Sequence, residues 1–350
     1  MVRKIRAYPM VVLLLPLVAA IFVCDRFYPL RKPWQKVEPN ATQTALYQRL
    51  ADGGLSGDEL ATVGALTLGY KEDLDKTLRR HFQSSGAAHV LAVSGLHTGI
   101  IYAILAWLMT LGGRYKPLYE NRWGRGAISV AIIGVMWGYA WLTGMTPSVV
   151  RAVVMVSLYE GGKILRRNSP TLNTIAAAAV LILLVRPSDL WSVSFQLSFA
   201  ATFAIVFFAD SMGTTIKYHT IRSTFWGKVL NKFIGIIVVS LAAQLGTLPI
   251  TMFYFKQVSC YFLLANLCVL PIATLLVPCG LISIALGGSV AGVYFSKTTW
   301  GLAWLMNHSV AWIERLPGCT LPAHIDGTMV GIYYILLLAF CFFFRKSIKA

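Results

Sequence analysis

Ten long apolar runs dominate the chain and constrain what it can fold into. They lie at about residues 9–24, 89–111, 126–143, 147–162, 171–186, 190–209, 230–254, 260–288, 296–316 and 328–344. An α-helix needs roughly 20 apolar residues to cross hydrocarbon. Charged residues make up only 13% of the 350 residues, against about 25% in soluble domains. We therefore predict an all-α polytopic membrane protein with about ten transmembrane or re-entrant helices.

The basic residues between these runs predict the orientation of the chain. They cluster near residues 3–6, 114–125, 163–167, 217–232 and 345–349, and the intervening turns are nearly uncharged. With ten spans every cluster falls on one side, as the enrichment of Lys and Arg in cytoplasmic loops requires. We expect both termini in the cytoplasm. Loop enrichment also accounts for much of the net charge of +17, so this charge alone does not identify nucleic acid as a partner.

The chain divides into three parts. Residues 1–24 form an N-terminal membrane anchor, which we expect to stay uncleaved because Phe22–Cys24 lacks the small residues that usually precede a cleavage site. Residues 25–88 form an external segment, and residues 89–350 form the membrane domain. Within that domain Pro271 and Pro278 predict a break in the 260–288 helix.

The external segment has the pattern of short amphipathic helices. Ser56 and Glu59 form a capping-box pattern at the start of one helix. Leu74, Leu78 and Phe82 are spaced four apart and share one face of another. Such helices either lie at the membrane interface or dock on the helix bundle, and the sequence leaves both alternatives open.

Motifs for metals and cofactors are missing from the sequence. The six cysteines include no C-x-x-C pair, and the six histidines include no spacing typical of a metal site. No Walker-type phosphate loop is present. We therefore predict no metal and no cofactor, and interpret the cysteines chiefly as small apolar residues.

A serine and a histidine lie near the start of the second apolar run. Ser94 and His97 are three residues apart and share a helix face. They are candidates for lining a pathway, for a nucleophile–base pair of an intramembrane hydrolase, or for hydrogen bonds between helices. Gly95 and Gly99 form a G-x-x-x-G pattern, which predicts close packing of another helix.

Further polar residues interrupt the later runs. Arg151 begins one helix and either extends to the membrane interface or faces a pathway. The other candidates are Gln196, Ser198, Gln244 and Asn266. Each of the amides can instead be satisfied by a neighbouring helix.

Taken together, these segments resemble the membrane domain of the ComEC family of competence proteins. The matching stretches are 86–97, 146–152, 186–190, 194–199, 244–249 and 265–267, in the family's order. The resemblance implies a channel in the bacterial inner membrane that passes single-stranded DNA into the cytoplasm during natural transformation. It implies a cytosolic helicase-like ATPase and an external DNA receptor as partners, and allows a homo-oligomer. The pathway candidates would then be Ser94, His97, Arg151, Gln196, Ser198, Gln244 and Asn266.

Two departures from the family pattern limit this expectation. Relatives often carry an external OB-type domain, for which only residues 25–88 are available here. Many also end in a metallo-β-lactamase-like domain with clustered histidines and aspartates, and no such cluster precedes Ala350. We therefore expect the channel domain only and no enzyme activity. The alternatives are a transporter of another anionic or small solute and, less favoured, an intramembrane serine hydrolase.

Overall fold

A computed structural model describes residues 9–27, 38–91, 93–110, 121–166, 170–209 and 225–347, and nearly all of its regular structure is helical. The α-helices of these residues are α1 (Pro9–Phe27), α2 (Ala41–Asp52), α3 (Gly57–Thr67), α4 (Lys76–Ser85), α5 (Gly95–Thr110), α6 (Arg122–Leu142), α7 (Pro147–Ile164), α8 (Thr171–Val185), α9 (Val193–Ala204), α10 (Phe225–Phe255), α11 (Phe262–Ala285), α12 (Val290–Glu314) and α13 (Gly327–Ser347). The all-α prediction is confirmed.

Each apolar run contains one helix, but the helices differ in their ability to span a bilayer. Within the described residues, three segments are long and apolar enough to cross a membrane, namely Trp123–Leu142, Leu230–Phe255 and Phe262–Ala285. Helices such as α5, with 16 residues, are shorter. The basic clusters behind the predicted orientation lie partly outside the described residues: the cluster at residues 3–6 lies there entirely, whereas Arg345 and Lys346 belong to the end of α13.

Helix α11 runs unbroken through Pro271 and Pro278, so the predicted break is wrong. In the middle of a helix, proline removes one backbone donor and crowds the preceding turn. Packing against other helices compensates for this, because Ala273, Leu276 and Val277 of the same stretch are fully buried.

Helices α2 to α4, which belong to the segment predicted to be external, dock into the bundle. Val63 and Leu66 of α3 and Phe82 of α4 are fully buried in the main core, which they share with residues of α11 and α12. A side-chain hydrogen bond of 2.9 Å joins Thr62 Oγ1 to Asn307 Oδ1 of α12. Of the two alternatives for this segment, the structure shows docking on the bundle.

Capping in this segment differs from the sequence pattern. Ser56 precedes α3 but makes no side-chain capping hydrogen bond. Asn40 and Gln43 form a complete capping box at α2 instead. Asp75 caps α4 by accepting the backbone N–H of Thr77, which holds the pKa of this carboxyl below its usual value.

The connections that face helices α2 to α4 share one end of the bundle. Asn40 Nδ2 donates to Trp141 O at the end of α6 over 3.3 Å. Arg80 and His81 of α4 pair with Glu314 at the end of α12. A two-stranded antiparallel ribbon, β1 (Gln257–Ser259) and β2 (Thr320–Pro322), links the α10–α11 and α12–α13 connections at this end. This end is called the α4 end below.

Close helix packing occurs at glycines other than the predicted pair. A Cβ atom on Gly95 or Gly99 would meet no described atom within 4 Å, so the described part of the chain places no helix against them. A Cβ atom on Gly246 of α10 would lie 2.5 Å from the carbonyl oxygen of Ala200 in α9. A Cβ atom on Gly280 of α11 would similarly lie 2.7 Å from Thr67 Cγ2 of α3.

Gly246→Ala should destabilise the protein by about 1–3 kcal/mol, the usual cost of overpacking. The clash is with backbone, so α9 and α10 must separate. Gly235→Ala is the matched control in the same helix, because its Cβ would meet no described atom within 4 Å. We expect a lower thermal midpoint in detergent for Gly246→Ala only. Equal midpoints for the two variants would contradict the close contact.

Candidate functional site

The turn before α5 folds around the side chain of His97. His97 is fully buried, and its Nδ1 accepts the backbone N–H of Ser94 over 3.1 Å. Thr98 Oγ1 donates to Ser94 O over 3.1 Å. The two side chains therefore shape the start of the helix. The contact that joins Ser94 to His97 uses the Ser94 backbone, and the buried Ser94 Oγ makes no hydrogen bond within the described residues.

The start of α7 docks on this turn. Ser148 Oγ donates to Val93 O over 2.6 Å, so two of the sequence motifs meet directly. Pro147 occupies the first position of the helix, where its missing N–H costs little. Arg151 follows one turn later and is thereby placed beside the connection between α8 and α9.

The side chain of Arg151 is buried, with 3% of the residue's surface exposed. Its Nη2 donates to Ser194 Oγ at the start of α9 over 2.9 Å. Buried Asp189 lies near enough to favour the charged guanidinium. The buried Nε has no hydrogen-bond partner among the described residues. One donor of the guanidinium thus remains for a ligand or water.

A cavity of about 310 Å³ lies beside this guanidinium. Arg151, Arg186 and Asp189 supply its charged groups. Its walls are otherwise apolar and come from α6, α7, α8 and the α6–α7 turn, through Trp137, Met145, Pro147, Val150, Val154, Leu181, Ile182 and Val185. A cavity with two guanidinium groups and one carboxylate favours an anionic ligand over a cation.

Gln196 and Ser198 take part in local structure near this cavity. A 3₁₀ turn, Pro187–Trp191, precedes α9, and Gln196 Nε2 donates to Leu190 O of that turn over 2.9 Å. Ser198 is half-buried, and its carbonyl accepts Thr202 Oγ1 over 2.7 Å. The Gln196 amide therefore fixes the connection that carries Asp189.

Asn266 and Ser240 form a second polar group, between α11 and α10, and Gln244 lies one turn along α10 from Ser240. Asn266 Nδ2 donates to Ser240 Oγ over 3.1 Å, while its buried Oδ1 has no partner among the described residues. Ser240 and Gln244 are four residues apart and share a face of α10. None of the hydrogen bonds described links this group to the Arg151 group, so the predicted residues form two sites.

A third polar cluster was missed by the sequence analysis. Glu160 of α7 is fully buried and accepts hydrogen bonds from Tyr102 of α5 at 2.6 Å, from Ser129 of α6 at 2.7 Å and from Lys163 at 2.7 Å. A lone acid three residues before a lysine in an apolar helix was the available signal. The charge pattern of the sequence assigns Lys163 only to a basic loop.

Comparison with known proteins assigns the family. The family model described as "Competence protein" matches residues 66–347, and the chain belongs to this family. It is 29% identical over 266 residues to ComE operon protein 3 of Bacillus subtilis, covering 75% of this chain and 30% of that protein. It is 28% identical over 156 residues to competence protein ComA of Neisseria gonorrhoeae, covering 45% of this chain and 22% of that protein.

The matched regions span less than a third of these relatives. The same holds for the uncharacterized protein YcaI of Escherichia coli, which is 27% identical over 243 residues, or 68% of this chain and 30% of that protein. No solved structure matches the chain. The ComEC-type resemblance of the sequence is thus confirmed at the level of the family.

Proposed function

We propose that the chain is a multi-pass channel of the bacterial inner membrane that passes single-stranded DNA into the cytoplasm during transformation. The observation that carries this proposal is the competence family model, which extends from the end of α3 to the end of α13. The names of two relatives, ComE operon protein 3 and competence protein ComA, agree with it. The ten helices in apolar runs would be its transmembrane or re-entrant elements.

Charge and geometry support a polyanion as the transported molecule. From residue 89 onward the chain has 19 Lys and Arg against 6 Asp and Glu, a net charge of +13. Proteins that bind single strands use positive grooves to follow the phosphates. We place the entrance at the α4 end of the bundle, where Arg151 and Arg186 line the cavity. The α4 end would then face outward and both termini the cytoplasm.

The chain would act as a conduit within a larger assembly. A cytosolic helicase-like ATPase is the proposed source of force, and an external DNA receptor the proposed source of substrate. The absence of a hydrogen bond between Ser94 Oγ and His97 among the described residues favours a conduit over a serine hydrolase.

Deletion of the gene in a naturally transformable host should abolish both transformation and the entry of labelled DNA into a nuclease-resistant form. The wild-type gene should restore both. His97→Ala should not, because the turn before α5 loses its buried acceptor. His308→Ala is the matched control, since His308 is an exposed histidine of α12. Membrane levels of each variant are measured by immunoblot.

Measuring DNA entry separately from recombination makes the result decisive. Unchanged entry of DNA in the deletion strain would overturn the channel proposal and favour transport of another solute. Restoration by His97→Ala at normal protein levels would leave the channel in place but remove His97 from it.

A further inference from the structure

Two cysteines face each other at the end of the β-ribbon. The ribbon pairs Ser259 with Thr320, so the next opposed pair is Cys260 and Cys319. The Cys260 N–H donates to Cys319 O over 2.9 Å, which continues the ladder by one step. Opposed residues of such a hydrogen-bonded pair have Cα atoms roughly 5.5 Å apart. Disulfides span Cα separations of about 4.4–6.8 Å, so the separation expected for an opposed pair of this kind lies within the range of a disulfide.

The surroundings of the two thiols differ, so that only one of them is open to solvent. Cys260 is exposed, whereas Cys319 is buried and its Sγ donates to Ser84 O of α4 over 3.2 Å. The two thiols are close enough to interact electrostatically, and burial raises the pKa of the Cys319 thiol. An oxidant from solvent therefore meets Cys260 first. Two other cysteines, Cys268 and Cys279, lie within helix α11 and not in the ribbon.

The position of the ribbon determines whether the two cysteines lie in an oxidising or a reducing compartment. A Cβ on Gly86, just after α4, would lie 2.9 Å from Ser259 Oγ of β1. The ribbon therefore belongs to the α4 end, which faces outward in the proposed orientation. Disulfides form and persist on the outer side of the bacterial inner membrane and are rare in the cytoplasm.

We propose that Cys260 and Cys319 form a structural disulfide on the outer face of the membrane. This inference rests on the orientation given under the proposed function. The oxidant is the disulfide of an external thiol oxidoreductase. The Cys260 thiolate attacks it and forms a mixed disulfide, releasing one thiol. The Cys319 thiolate then attacks the Cys260 sulfur and releases the second thiol, so two protons and two electrons leave the pair.

The disulfide would fix the helices that carry the second polar group. It joins the α10–α11 connection to the α12–α13 connection, next to α4. Ser240 and Gln244 of α10 and Asn266 of α11 lie on the two helices that flank Cys260. Oxidation therefore holds the outer ends of these helices against the external segment.

The test uses the full chain in membranes prepared without reductant. Free thiols are blocked with N-ethylmaleimide in denaturant, the protein is reduced, and a polyethylene glycol maleimide then marks each released thiol as a gel shift. We expect two adducts for the wild type and none for Cys260→Ser or Cys319→Ser. Cys268→Ser is the matched control and should keep two. Wild-type protein without adducts, or adducts that persist in Cys260→Ser, would overturn the disulfide.

A second labelling experiment separates failure of the disulfide from failure of the orientation. In a Cys24→Ser/Cys319→Ser background, a membrane-impermeant maleimide applied to intact cells should label Cys260. If Cys260 is labelled from outside but the wild-type chain has no disulfide, only the disulfide fails. If Cys260 is labelled only after the membrane is opened, the orientation fails and the disulfide proposal fails with it.

Discussion

Arg151→Gln should lower DNA uptake about ten- to hundredfold without loss of the protein from the membrane. Hydrogen bonds to charged groups contribute about 1.5–3 kcal/mol, and each 1.4 kcal/mol or so corresponds to a tenfold change in affinity. Arg151 has a buried Nε without a partner among the described residues and lines the cavity with Arg186. The measurement is the entry of labelled DNA, with protein levels followed by immunoblot.

The controls separate contact with DNA from support of the fold. Arg315→Gln removes the same charge from an exposed site at the end of α12 and should have little effect. Arg151→Gln/Asp189→Asn removes the neighbouring carboxylate as well, so Asp189 is not left as a buried charge without Arg151. If the double variant restores uptake, Arg151 serves only to neutralise Asp189. Full uptake by the single variant would remove Arg151 from the pathway.

The helices of this fold could be predicted because their signal is local. A run of apolar residues as long as 126–143 or 230–254 is read directly from the sequence, and each such run contains a helix. The break predicted at Pro271 and Pro278 is wrong because tertiary packing, which the sequence does not display, stabilises α11.

Contacts between helices were harder to predict because they depend on which faces meet. The G-x-x-x-G pattern at Gly95 and Gly99 permits close packing but does not require a partner, and the tight contact lies at Gly246. Likewise the sequence placed Ser148 and Arg151 in one motif. It did not show that Ser148 binds Val93 or that Arg151 binds Ser194.

Gln196 and Asn266 were predicted as candidates because each is a polar residue in an apolar run, but their side chains differ in hydrogen bonding. Gln196 is satisfied by a nearby carbonyl, whereas Asn266 keeps a buried oxygen without a partner among the described residues. Residue type alone does not distinguish these cases, since both are amides in apolar helices. The difference comes from the local 3₁₀ turn in one case and from a neighbouring helix in the other.

Glu160→Leu should destabilise the protein by about 3 kcal/mol, the lower end of the cost of removing one partner of a buried ion pair. The lower end applies because the Lys163 side chain is 26% exposed and can regain some hydration. The substitution also leaves the hydroxyls of Tyr102 and Ser129 without their acceptor. These groups come from α5, α6 and α7, so the contact among three helices should loosen. The measurement is the thermal midpoint of the detergent-solubilised protein.

The double variant Glu160→Leu/Lys163→Leu tests whether the loss comes from the unpaired charge. Replacing both members of a buried ion pair with apolar residues is often neutral or stabilising. The double variant should therefore be more stable than Glu160→Leu, although Tyr102 and Ser129 still lack their acceptor. Glu160→Gln keeps an acceptor for these hydroxyls and should fall between the single variant and the wild type. If the double variant is no more stable than Glu160→Leu, the cluster acts through its hydroxyl contacts, and the ion pair contributes little to joining the three helices.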